Sequence, residues 1–108
     1  MQPISRQISQ GQVIYSQGEP STEMFVVRSG AVDLFVERDG QRLLLEHVET
    51  GGCFGEVGAI SGKPRNATAI AQRQGELYVL DREVLTKLLH LDELLPRIIF
   101  HAIIDRQE

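Results

Sequence analysis

The chain has 108 residues, of which 42% are hydrophobic and 24% are charged, and its formal net charge is −4. This length fits one domain, here residues 1–108, with a core of its own, and the composition is that of a globular protein. The negative charge disfavours direct binding to nucleic acid, and the single cysteine, Cys53, excludes an internal disulfide or a metal site built from cysteines.

From Gln12 to Asp81 the sequence consists of short β-type runs separated by turn residues. The runs are 13–16, 24–29, 31–37, 42–48, 67–71 and 76–81. Asp39-Gly40, between two of them, is typical of a two-residue hairpin turn of type I′, in which both residues have positive φ. Within 31–37, alternation places Val32 and Leu34 on one face and Asp33 and Phe35 on the other. Many short strands with regular turns predict a sandwich or barrel.

After Asp81 the pattern becomes helical. Asp81 is a plausible N-cap, and apolar residues follow at helical spacing. They are Val84, Leu85, Leu88 and Leu89, and then, beyond Pro96, Ile98, Ile99, Ala102 and Ile103. The predicted fold is therefore mainly β: an antiparallel, jelly-roll-like β-roll over about 6–81 with a short cassette helix, then two C-terminal α-helices over about 82–106.

The stretch FGEVGAISGKPRNATA, residues 54–69, places Glu56 and Arg65 among small residues. Glycine allows close backbone approach, and residues 57–60 can form a helical turn whose N–H groups attract an anion. Arg65 offers donors suited to a phosphate, and ionised Glu56 accepts from a hydroxyl. A sugar phosphate fits this arrangement. From spacing alone, an exposed ion pair between Glu56 and Arg65 is about equally plausible.

The sequence FGEVGAISGKPRNAT closely resembles the phosphate-binding cassette of the cyclic nucleotide-binding domain family. GQVIYSQGEPSTEMFVVRSGAVDLF also resembles the early strands of that family, so the resemblance covers most of the chain. It implies that Glu56 accepts from the ribose 2′-hydroxyl and that Arg65 pairs with the cyclic phosphate. The ligand-binding residues that it implies are Gly55, Glu56, Val57, Gly58, Arg65, Asn66 and Ala67.

The resemblance implies a regulatory sensor domain, not an enzyme, whose ligand is cAMP or cGMP and which needs no cofactor. We favour cAMP on general grounds, and Asn66, at the variable position after the arginine, leaves the purine preference open. The C-terminal helices would close over the base and relay occupancy to an effector outside this chain. A homodimer is left open. We expect no membrane segment, because no apolar run is long enough. We also expect a cytoplasmic location, either as a separate protein or as a cytoplasmic domain of a larger one.

The alternative is a protein-interaction module of the same fold that binds no nucleotide. Its support is the small size of Gly58 and Ala59 and the unusual Asn66. The three histidines are too scattered to predict a metal site, and Ser61 lacks the G-x-S-x-G motif of a nucleophile. We expect Cys53 to be a partly buried, inert thiol, and Met24 and Phe25 to be core residues.

Overall fold

A computed structural model of the chain describes residues 4–56 and 62–83. These residues contain six strands: β1 Ile4–Ile8, β2 Val13–Tyr15, β3 Glu23–Arg38, β4 Gln41–Glu49, β5 Cys53–Phe54 and β6 Thr68–Asp81. The strand order is β1-β6-β3-β4, with β2 on β6 and β5 on β3, and the pairings are antiparallel. The predicted mainly β, antiparallel fold is confirmed. The predicted C-terminal helices lie outside the described residues, except that Arg82 and Glu83 are helical.

Two long strands, β3 and β6, replace four of the predicted short runs. The prediction that the chain breaks at Gly30 and between residues 71 and 76 is wrong, because both strands continue through a glycine. A Cβ on Gly75 would lie 2.1 Å from the carbonyl oxygen of Ser29, and one on Gly30 would lie 2.7 Å from that of Gln74. The glycines therefore let the backbones of β3 and β6 approach closely where the pairing register shifts, and they do not end the strands.

The hairpin between β3 and β4 has the predicted geometry. Asp39 and Gly40 have φ values of 54° and 76°, and Arg38 pairs with Gln41 across the two-residue turn. This confirms the positive φ expected at both turn positions. The predicted alternation is also confirmed, since Val32 and Leu34 are buried, whereas Asp33 and Phe35 are partly exposed.

The core beneath the cassette contains three aromatic rings. The ring centres of Phe25 and Phe54 are 5.1 Å apart, and Tyr15 lies 6.0 Å from each. Phe54 pairs with Phe25 across β5 and β3, which fixes the start of the cassette over this cluster. Met24 and Phe25 are core residues and Cys53 is partly buried, as predicted.

Within residues 4–56 and 62–83, no helix is long and apolar enough to cross a membrane.

Candidate ligand-binding site

The backbone of Arg65 is held by the turn that follows β2. The Arg65 N–H donates to the carbonyl oxygen of Glu19, and the Arg65 carbonyl accepts from the N–H of Gly18, each at 2.8 Å. Nearby, the N–H of Gln17 donates to Oγ1 of Thr68 at 2.9 Å. These reciprocal bonds fix the position of the segment between the cassette and β6.

The side chain of Arg65 points inward and is only 6% exposed. Its guanidinium carbon lies 4.0 Å from the centre of the Tyr15 ring and 5.7 Å from that of Phe25. Nη1 donates to the carbonyl oxygen of Gly55 at 2.9 Å. Ring stacking and this hydrogen bond thus orient the cation toward the backbone of the cassette.

Burial lowers the pKa of the Arg65 guanidinium, and the charges of Glu23, Glu19 and Glu56 oppose that shift. The side chain stays protonated, because an arginine pKa lies far above neutral pH. Its Nε atom is buried and has no hydrogen-bond acceptor among the residues that the structure describes. A buried donor without an acceptor is uncommon in proteins, and here it belongs to a cation.

Gly55 lies directly against Arg65, in a conformation that glycine favours. Its φ is +81°, and a Cβ at this position would lie 2.8 Å from Nη1 of Arg65 and 3.5 Å from the rings of Phe25 and Tyr15. Any larger residue would strain the backbone and displace the guanidinium.

Glu56 follows Gly55 and is 4% exposed. Spacing alone left open an exposed ion pair between Glu56 and Arg65. That interpretation is wrong, because both side chains are buried. The charge of Glu56 acts on the buried Arg65 guanidinium.

The other predicted site residues fall into two groups. Ala67 is buried at the start of β6, and Asn66 is exposed beside Arg65. Val57 and Gly58 lie outside the described residues, as do Ser61, His90 and His101. The described residues therefore bring Gly55, Glu56 and Arg65 together, with Ala67 packed in the core behind them.

Sequence patterns did not predict the residues that support the guanidinium. In sequence, Tyr15 is indistinguishable from other strand residues. Glu19 accepts a hydrogen bond from Arg65 through its backbone carbonyl, which no pattern of side chains can predict. Arg6 and Glu23 form an ion pair near Phe25. Their proximity to one another follows only from strand register.

The chain is similar to known proteins over most of its length. The family model described as "Cyclic nucleotide-binding domain" matches residues 5–92. The chain belongs to this family. This confirms the resemblance inferred from the cassette.

One relative is a cAMP-dependent protein kinase regulatory subunit of Blastocladiella emersonii, 33% identical over 85 residues that cover 78% of this chain and 21% of the relative. The chain spans about a fifth to a third of the length of the curated relatives it matches.

Two solved structures are similar along nearly the whole chain. A cyclic nucleotide-binding domain from Methylobacillus flagellatus has a TM-score of 0.81 at 20% identity, covering 94% of this chain and 57% of that chain. A structure described as "A cyclic-GMP-dependent signalling pathway regulates bacterial phytopathogenesis" has a TM-score of 0.80 at 31% identity, covering 97% and 80%.

Proposed function

We propose that this chain is a regulatory sensor domain that binds a cyclic mononucleotide, with cAMP preferred over cGMP, and relays occupancy to an effector. The observation that carries the proposal is Arg65, a buried cation stacked on Tyr15 whose Nε donor has no acceptor among the described residues. A cyclic phosphate carries one negative charge and several acceptor oxygens, so it would satisfy both the charge and the donor.

In this proposal Arg65 binds the cyclic phosphate and Glu56 accepts from the ribose 2′-hydroxyl. The backbone at Gly55, Val57 and Gly58 approaches the ribose and the phosphate, and Asn66 and Ala67 complete the site. The name of the kinase regulatory subunit supports cAMP, whereas the description of one structural relative names cyclic GMP.

The mechanism is binding without chemistry, so the ligand leaves unchanged. A phosphate that binds Arg65 would affect the backbone of the cassette directly, because Nη1 of Arg65 donates a hydrogen bond to the carbonyl oxygen of Gly55. We propose that the segment after Asp81 carries this change to the effector, since β6 connects it to Arg65. The nucleotide shifts the two-state equilibrium only by the difference in its affinity for the two states.

The test is thermal unfolding of the purified chain after it has been unfolded and refolded to remove carried-over nucleotide. We compare buffer, cAMP, cGMP and AMP. A ligand at about 100 times its Kd adds about 2.7 kcal/mol of stability. For a domain near this size, this should raise Tm by about 10 °C or more. We expect the larger shift with cAMP and none with AMP.

The Arg65→Met variant keeps an unbranched stem over Tyr15 and removes the charge and the donors. Since a hydrogen bond to a charged group is worth about 1.5–3 kcal/mol, its affinity should fall at least about tenfold. The matched control is Arg42→Met, because Arg42 also stacks on a ring, that of Phe35 at 5.4 Å, on the distant hairpin. If no nucleotide shifts the Tm of the refolded wild-type chain, the proposal is wrong and the interaction-module alternative is favoured.

A further inference from the structure

An ion pair lies on the core side of the sheet, close to Arg65. Arg6 of β1 is opposite Leu77 of β6, which is opposite Val27 of β3, and both of these are core residues. Ile8, two positions along β1, is also in the core. Arg6 thus occupies an inward-facing position, and its Nη2 lies 3.4 Å from Oε1 of Glu23.

The ring of Phe25 connects this pair to the proposed phosphate site. The guanidinium carbon of Arg6 lies 5.4 Å from the centre of that ring, and the guanidinium carbon of Arg65 lies 5.7 Å from it. Glu23 is two positions before Phe25 and so shares its face of β3. The Glu23 carboxylate therefore acts on two cations, Arg6 by direct contact and Arg65 through its charge.

We propose that Arg6 is a positioning residue for the nucleotide, because it offsets the charge of Glu23 beside the phosphate-binding cation. A phosphate that approaches Arg65 also enters the field of the Glu23 carboxylate, which repels it. The positive charge of Arg6 reduces this repulsion. Arg6 also keeps the Glu23 carboxylate in its own ion pair, so that Glu23 does not compete with the phosphate for Arg65. This inference rests on the proposed function and adds to it a determinant of affinity outside the cassette.

The pair itself should contribute little to folding. The side chains of Arg6 and Glu23 are 41% and 29% exposed, and ion pairs near the surface are weak. Loss of either charge should therefore alter nucleotide affinity while the fold is retained.

The test is isothermal titration calorimetry of the refolded chain with cAMP and with cGMP. Arg6→Gln should weaken binding about threefold to tenfold, and Glu23→Gln should strengthen it by a similar factor. The double variant should bind within about twofold of wild type, because both charges are then gone. Arg6→Lys keeps the charge and should retain most of the affinity, which a role in packing alone would not predict.

The matched controls are Arg42→Gln and Glu37→Gln. These residues form a pair of the same kind at 3.3 Å, with Arg42 also 5.4 Å from a phenylalanine ring centre, on the β3–β4 hairpin. Their affinities should equal that of wild type.

Changes in the same direction for Arg6→Gln and Glu23→Gln, or no change in either, would overturn the inference while leaving the proposed function intact. Absence of binding by the wild-type chain would overturn both. Thermal unfolding of each variant checks that it is folded.

Discussion

Gly55→Ala is the substitution that tests the geometry of the site most directly. The change adds one methyl group, yet at a φ of +81° it places that carbon 2.8 Å from Nη1 of Arg65. Two separate effects follow. The backbone is strained because an L-residue rarely adopts this conformation, and the guanidinium must move away from the carbonyl of residue 55.

The two effects have different sizes and different readouts. The strained conformation costs about 1–2 kcal/mol of folding stability, which corresponds to a decrease in Tm of about 4–16 °C. Displacement of Arg65 breaks its 2.9 Å hydrogen bond and moves the cation from its place over Tyr15. The displaced guanidinium would then lose its proposed contact with the phosphate. Since a hydrogen bond to a charged group is worth about 1.5–3 kcal/mol, nucleotide affinity should fall by at least about tenfold.

The matched control is Gly40→Ala in the hairpin turn. Gly40 has a φ of +76°, and a Cβ there would meet no atom within 4 Å. It should therefore lower Tm by a similar amount while nucleotide affinity stays at the wild-type value. Calorimetric titration and thermal unfolding of the two variants separate strain from displacement.

Wild-type affinity in Gly55→Ala would refute the argument that the position of Arg65 determines binding. An equal loss of affinity in Gly40→Ala would also refute it, because general destabilisation would then explain both.

Two further predictions concern the sheet. Nδ1 of His47 lies 2.5 Å from Oδ1 of Asp33, and its Nε2 lies 2.7 Å from Oε1 of Glu49. These contacts raise the pKa of His47. Their stabilising effect is therefore complete below about pH 6.5 and is lost as pH rises through the folded-state pKa. The Tm difference between wild type and His47→Gln should shrink as pH rises, and a difference constant with pH would contradict this. Gly75→Ala should abolish cooperative unfolding, measured by circular dichroism, because its Cβ would lie 2.1 Å from the carbonyl oxygen of Ser29; a variant with a Tm near wild type would show that the strands can separate there.

Local features of the fold were predictable because they depend on neighbours in sequence. The alternation of Val32 and Asp33 and the Asp39-Gly40 turn are of this kind, and both are confirmed. The cassette could be recognised because its residues are contiguous, and the family match bears this out.

Features that depend on contacts between distant segments were not predictable. Gly30 and Gly75 look like strand ends in sequence, but in the structure they are points of close approach between two continuous strands, β3 and β6. The burial of Arg65 over Tyr15 likewise depends on how the turn after β2 meets the segment before β6. No periodicity within either segment contains that information.

The buried cation of Arg65 connects folding to the proposed binding. Without a bound anion, burial destabilises the charged form of Arg65. The carboxylates of Glu23, Glu19 and Glu56 partly offset this effect, because their negative charges stabilise the guanidinium. The same carboxylates repel a phosphate. Neutralising Glu23, which takes no part in the proposed contacts with the nucleotide, should therefore favour binding while it slightly lowers the stability of the nucleotide-free fold. Nucleotide affinity and nucleotide-free stability thus change in opposite directions at this site. Because Arg6 pairs with Glu23 and offsets its charge, Arg6 affects both quantities.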